Sequence, residues 1–153
     1  MNPQLNEKDF FKSLMYSVHS LNFLVQKHLE KLLAEKKLLT YSRYVILFFF
    51  SECQNDKDSD SSQCSVAKYL NVTEATISRH ISTLLNLKII QKKVDKENRR
   101  KHIIALTEKG SKIFKETNKV VMHELEKVFA TVNSSDRHII IKNFENILQK
   151  LTK

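Results

Sequence analysis

The chain has 153 residues, the size of one compact domain that can bury most of its surface without disulfides. One Gly, one Pro and no Trp argue against an all-β domain, which needs turn residues every few positions, so the expectation is a mainly helical protein. The net charge of +9 is uneven: residues 61–110 hold ten Lys/Arg against four Asp/Glu, while residues 1–60 balance eight against eight; a local basic field of this kind suits a polyanion, nucleic acid ahead of an anionic membrane.

In chain order, residues 6–38 read as a long helix, because Phe10, Phe11, Leu14, Val18, Leu21, Leu24, Val25, Leu29, Leu32 and Leu33 recur at three- and four-residue spacing. A helix of ~30 residues spans ~45 Å, more than a domain of this size needs internally, so part of its apolar face is expected to pack against a second copy. Thr40 can cap a helix over 41–52, with Tyr44, Val45, Leu47, Phe48 and Phe49 on its core face. The polar tract 54–63 reads as a solvated loop. Its Asp56-Lys57-Asp58-Ser59-Asp60 run falls short of a calcium loop, because Ser61 and Ala67 stand where the turn Gly and the bidentate Glu belong.

A short helix over 64–70 precedes the turn Asn71-Val72-Thr73, in which Thr73 is a good N-cap for a helix over 74–86. That helix sets Ile77, Ile81, Leu84 and Leu85 on one face and Thr76, Arg79, His80 and Thr83 on the other. Residues 89–94 and 102–106 read as two strands joined by the polar, basic run Asp95-Lys96-Glu97-Asn98-Arg99-Arg100-Lys101, which makes a hairpin. Thr107 is placed as the cap of a helix over 108–131 and Ser134 as the cap of a last helix over 135–151. No internal repeat and no linker is legible.

Two short helices joined by a three-residue turn and followed by a hairpin describe a winged helix-turn-helix. An α-helix fits the major groove of duplex DNA, where Arg79 is the natural bidentate reader of guanine. Thr76, Ser78, His80 and Thr83 can bond bases or phosphates, and Ser65 and Thr73 join them at the two helix starts. The hairpin tip, with Asn98, Arg99 and Arg100, can place an arginine in the adjacent minor groove. Lys92, Lys93 and Lys101 would neutralise flanking phosphates.

Residues 66–110 resemble the core of a MarR-family regulator. The resemblance is carried by Val66-Ala67-Lys68-Tyr69-Leu70, by Thr76-Ile77-Ser78-Arg79, by the wing Asp95-Lys96-Glu97-Asn98-Arg99-Arg100 and by Leu106-Thr107-Glu108-Lys109-Gly110. Upstream, Leu39-Thr40-Tyr41-Ser42-Arg43-Tyr44-Val45-Ile46-Leu47 is similar to the family's second helix. Two positions depart from the pattern. Lys88 stands where the family usually has Gly, which asks it for a helix-ending backbone that glycine adopts more cheaply. Asn98 replaces an Asp that commonly pairs with a wing Arg.

The resemblance implies one MarR-like domain over 1–153. Helices 1–38 and 108–153 would build a homodimer interface, and 39–107 a winged helix-turn-helix lobe. It also implies a pseudo-palindromic duplex operator, repression as the commoner output, and release by a small ligand or stress signal bound between dimerisation helices and DNA-binding lobe. An architectural, nonspecific DNA-binding protein of the same fold is the alternative. No nucleophile-base arrangement and no phosphate-cradling loop stands out, so no enzyme is expected, and no cofactor or metal, since the six His form no tight ligand pair. Cys53 and Cys64 are the redox candidates; their acidic flanks would not lower a thiol pKa, and they read as inert. With no signal pattern and no apolar run near the ~20 residues of a membrane span, the expected location is the cytoplasm.

Overall fold

The computed structural model describes residues 6–55, 59–94 and 102–151. Their elements run α1 (Glu7–Glu35), α2 (Tyr41–Asn55), α3 (Gln63–Tyr69), α4 (Glu74–Asn86), β1 (Ile90–Val94), β2 (His102–Leu106), α5 (Glu108–Val128) and α6 (Ser134–Leu151). The order is the one expected from the sequence, mainly helical with one antiparallel hairpin. The hairpin register pairs Ile90 with Leu106 and Lys92 with Ile104. The backbone of Ser61 adds one bond to its edge, accepting from Ile104 N–H at 3.0 Å.

The chain packs as two compact units, one ending at Asn118 and one beginning at Lys119. The first unit holds a continuous apolar core. Leu29 and Leu33 of α1, Ile46, Leu47 and Phe50 of α2, Val66 of α3, Ile77, Ile81 and Leu84 of α4 and Ile90 of β1 are all buried. The aromatic side of α2 meets the start of α5, where Tyr44 stacks on Phe114 at 6.0 Å and donates its hydroxyl to Asn118 Oδ1 at 2.8 Å. Glu30 of α1 reaches the start of α2, its carboxylate accepting from Tyr41 N–H at 2.8 Å, an anion set against the positive end of a helix dipole.

Three helices end in the same way, and none of them with glycine. Lys37, Asn71 and Lys88 follow α1, α3 and α4 in the left-handed region, with φ of 53°, 52° and 56°. In each case the next N–H reaches back five residues: Leu38 to Leu33 O, Val72 to Ala67 O and Ile89 to Leu84 O, at 3.0, 3.0 and 2.9 Å. This is the Schellman closure, which satisfies carbonyls that the helix leaves open. The expectation that Lys88 takes a glycine-like conformation is met.

The second unit holds the end of α5 and all of α6. Here the expected cap is corrected: Asn133, not Ser134, caps α6, its Oδ1 accepting from Asp136 N–H at 2.9 Å. Ser135 and Asp136 bond the same Asn133 side chain at 2.7 Å each. The last helix has no buried residue. The expected bounds also shift at α1, α2 and α5: α1 closes at Glu35, α2 runs on to Asn55 and α5 ends at Val128.

Candidate nucleic-acid interface

The helix-turn-helix is set by two local devices. Asn71 in the left-handed region turns the chain sharply after α3, and Thr73 then accepts from Thr76 N–H at 3.2 Å as the N-cap of α4. Between them only Val72 intervenes, so α4 leaves the turn at a fixed angle with its Ile77–Ile81–Leu84 row buried in the core. The row directly opposite, by helical spacing, is Ala75, Arg79, Ser82 and Asn86; all four are exposed. Glu74 is the only acidic residue of α4 and lies in its first turn.

The residues expected to meet DNA fall into groups. Arg79 sits at the centre of the exposed row, and Thr73 and Thr76 are exposed at its N-terminal end. Ser78 is half-buried on the flank. Thr83 is also half-buried, and its hydroxyl donates to Arg79 O at 3.0 Å, which leaves its lone pairs to accept. Ser65 is half-buried at the start of α3 and donates to Asp60 at 2.6 Å. Lys92 and Lys93 are exposed on successive residues of β1 and therefore leave the hairpin from opposite faces. Asn98, Arg99, Arg100 and Lys101 lie outside the described residues.

His80 is placed differently from the rest. It is one residue from Ile81 and three from Ile77, at the edge of the buried row, and is half-buried. Together with Thr76 it lines a cleft of about 350 Å³ whose other wall carries Asn22 and Gln26 of α1 and Tyr41 and Ser42 of α2. The volume falls within the range of small-molecule sites. Its polar groups are amides, hydroxyls and one imidazole, over a floor of Val45, Ile46, Leu70, Val72 and Ile77. Tyr41 is held protonated, its pKa raised by burial and then by Tyr69.

Sequence reasoning missed Ser82 and Asn86. Its selection of side chains on α4 followed residue type; counting helical positions from Ile77, Ile81 and Leu84 would have found both. Cys53 and Cys64 are half-buried and form no disulfide; Cys53 lines a smaller cleft with Phe49, Glu52, Ser59 and Tyr69. Among the described residues no group of three His, Cys, Asp or Glu could hold a metal ion. No helix among them is long and apolar enough to cross a membrane.

Residues 39–110 match the winged helix DNA-binding domain family. No curated protein sequence matches the chain. Among solved structures the chain is similar to a MarR/EmrR family transcriptional regulator from Acinetobacter sp. ADP1, at 16% identity and a TM-score of 0.79, covering 97% of this chain and 99% of that one. It is similar to the transcriptional regulator BldR from Sulfolobus solfataricus, at 20% identity and a TM-score of 0.78, covering 95% and 99%. It is also similar to MepR from S. aureus in a complex with DNA, at 17% identity and a TM-score of 0.68, covering 98% and 99%.

Proposed function

For a chain whose residues 39–110 are a winged helix DNA-binding domain and whose whole length has the fold of MarR-type transcription regulators, we propose a sequence-specific regulator that binds a pseudo-palindromic duplex operator as a homodimer. The observation that carries this reading is the exposed row of α4. A 13-residue helix is held by its buried face and presents Arg79, Ser82 and Asn86 outward, side chains suited to base edges in a major groove. Arg79 reads guanine; Ser82 and Asn86 extend the contact along the groove; Thr73, Thr76, Lys92 and Lys93 meet phosphates, and Ser65 joins them only by giving up its bond to Asp60. Arg99, Arg100 and Lys101, which follow β1 in the sequence, are assigned to the same DNA contact. The similarity to a regulator seen bound to DNA supports the same use of the fold.

The second copy is called for by surface that one chain leaves in water. Phe10, Phe11, Met15, Tyr16, Leu21 and Leu24 of α1 are 47–75% exposed, and Ile139, Ile141, Leu148 and Leu151 of α6 are 57–78% exposed. Apolar faces of that extent mark interaction surfaces. Two lobes joined through them would meet half-sites about one helical turn, ~34 Å, apart. The cleft between Asn22, Gln26, Thr76 and His80 is the place for a small effector. Because two of its walls are α1 and α4, a ligand that bonds both would favour one setting of the recognition helix. Repression, with release by that ligand or by a stress signal, is the output this arrangement serves, and the reading places the protein in the cytoplasm.

The test is selection of bound DNA from a random duplex library at physiological salt. Enrichment of an inverted repeat with one-turn half-site spacing is expected. Binding without enrichment would instead favour an architectural, nonspecific protein of the same fold.

A further inference from the structure

The C-terminal end of α4 is held from outside the helix-turn-helix. Three successive carbonyls leave it: Leu87 O, Lys88 O and Ile89 O. Lys109 Nζ donates to Leu87 O at 2.9 Å. The single proton of the Thr107 hydroxyl is shared between Lys88 O at 2.8 Å and Ile89 O at 3.1 Å. The Thr107 N–H also donates to Ile89 O at 3.0 Å, and its hydroxyl oxygen accepts from Gly110 N–H at 3.0 Å. Thr107 is thus at once the N-cap of α5, the continuation of the hairpin beyond the Ile90–Leu106 pair and the tie to the end of α4. A side-chain cation and a hydroxyl thus bond the carbonyls of the cap residue Leu87 and of the two residues that follow it.

We infer that Thr107 and Lys109 are positioning residues for DNA recognition: by bonding Leu87, Lys88 and Ile89 carbonyls they fix α4 relative to α5 and so set where Arg79, Ser82 and Asn86 fall in the groove. The inference rests on the DNA-binding reading above. α4 is anchored at its start by the three-residue turn and along one side by Ile77, Ile81 and Leu84; the residues that close it, Leu87 to Ile89, have in addition the bonds from Thr107 and Lys109. Without them the helix can still fold and bury its apolar row through Leu84, but the segment that closes it is tied less tightly to α5, and small shifts of its last turn cost less. Bidentate contacts to base edges tolerate little displacement, whereas phosphate contacts by flexible lysines tolerate much. The clamp therefore serves discrimination between sequences more than attraction to DNA.

The test uses the full chain and three variants, Thr107→Val, Thr107→Ser and Lys109→Met, with binding measured to a duplex selected for the wild-type protein and to a random duplex, over a range of salt. Thr107→Val keeps the shape and removes the hydroxyl; Thr107→Ser restores it. The expected result is a loss of about tenfold for the selected duplex, the scale of one spoiled base contact, with random-duplex affinity and salt slope unchanged, and recovery in Thr107→Ser. Lys109→Met, at an exposed site where folding is not at risk, should show the same pattern more weakly. Wild-type discrimination in folded Thr107→Val and Lys109→Met would overturn the inference. So would equal losses on both duplexes in Lys109→Met with a salt slope lower by about one, which would make Lys109 a phosphate contact. Should Thr107→Val fail to fold, Lys109→Met decides alone. No discrimination by the wild-type protein would overturn the sequence-specific reading itself and the inference with it.

Discussion

A β-carbon on Gly110 would overlap the carbonyl oxygen of Ile89. The first turn of α5 thus lies directly on the peptide that leaves α4, and the only glycine of the chain is spent on close approach of two backbones. Its value is the missing side chain, since it has no positive φ. Gly110→Ala is expected to destabilise the protein by about 3 kcal/mol, as overpacking against backbone does, measured by urea unfolding. A loss below about 1 kcal/mol would mean that α5 can lift away from Ile89 at little cost.

Lys88 makes the opposite use of a position where glycine would be cheaper. At φ 56° its β-carbon crowds the following carbonyl, while the Schellman bonds around it are intact. Lys88→Gly and Lys37→Gly should each stabilise by about 0.5–1 kcal/mol, strain relief exceeding the added entropy of the unfolded chain. Lys36, one residue earlier at φ −84°, is the control, since Lys36→Gly should stabilise nothing. Thermal unfolding of the three variants checks this, and equal shifts at Lys36 and Lys37 would refute the conformational argument.

How much of this was legible in the sequence varies by element. The bounds of α4 were, because Thr73 is a strong cap and Ile77, Ile81 and Leu84 keep a strict helical period. The cap of α6 was not: Asn133, Ser134 and Ser135 are consecutive good caps, and only the bonds to Asp136 distinguish them. α2 runs to Asn55 because a helix already nucleated on Tyr44–Phe50 can continue through polar residues that carry no period of their own. On α4, residue chemistry pointed to Arg79 but also to His80, which the helical angle carries to the cleft. The exposure of α1 was half legible. Its length showed that one chain could not cover it, yet the periodicity of Phe10 to Leu24 is the same whether the cover is this chain or another.

Tyr44 gives an alkaline signature. It is 4% exposed, and burial first, then Tyr41, push its hydroxyl up to about 12. The folded chain therefore holds a proton that the unfolded chain, with an ordinary tyrosine near 10, gives up. Between these values stability must fall as pH rises; below pH ~10 the group adds no slope. Tyr44→Phe should lower stability at neutral pH by about 1 kcal/mol, for the lost bond to Asn118, and flatten the decline above pH 10. Denaturation series at successive pH values would show it; an unchanged slope would mean that Tyr44 ionises as freely folded as unfolded.

Arg79→Ala and Arg100→Ala should differ in kind. Arg79 stands on the exposed row of α4; if it reads a base edge as proposed, its loss should cost about 1–3 kcal/mol on the selected duplex and relax preference at one position. Arg100 lies in the basic run 95–101 of the sequence, and its loss is expected to weaken binding across sequences. Competition binding with point-substituted duplexes separates the two. Equal losses on selected and random DNA for Arg79→Ala would remove Arg79 from the base-reading set.

The apolar row Ile140, Phe144, Ile147 and Leu151 on α6 runs at i, i+4, i+7 and i+11 and is 39–78% exposed in the single chain. No residue of α6 is fully buried, so its own chain covers this apolar row only in part. A second copy laid on this row would supply the missing burial. Phe144→Asp with Ile147→Asp should therefore shift a dimer to monomer in sedimentation equilibrium at micromolar concentration and lower the helical content. Operator affinity should fall with it, because two half-sites would no longer be bound as one. An unaltered dimer in that variant would move the interface elsewhere; a monomeric wild-type protein that still selects an inverted repeat would show that the copies meet only on DNA.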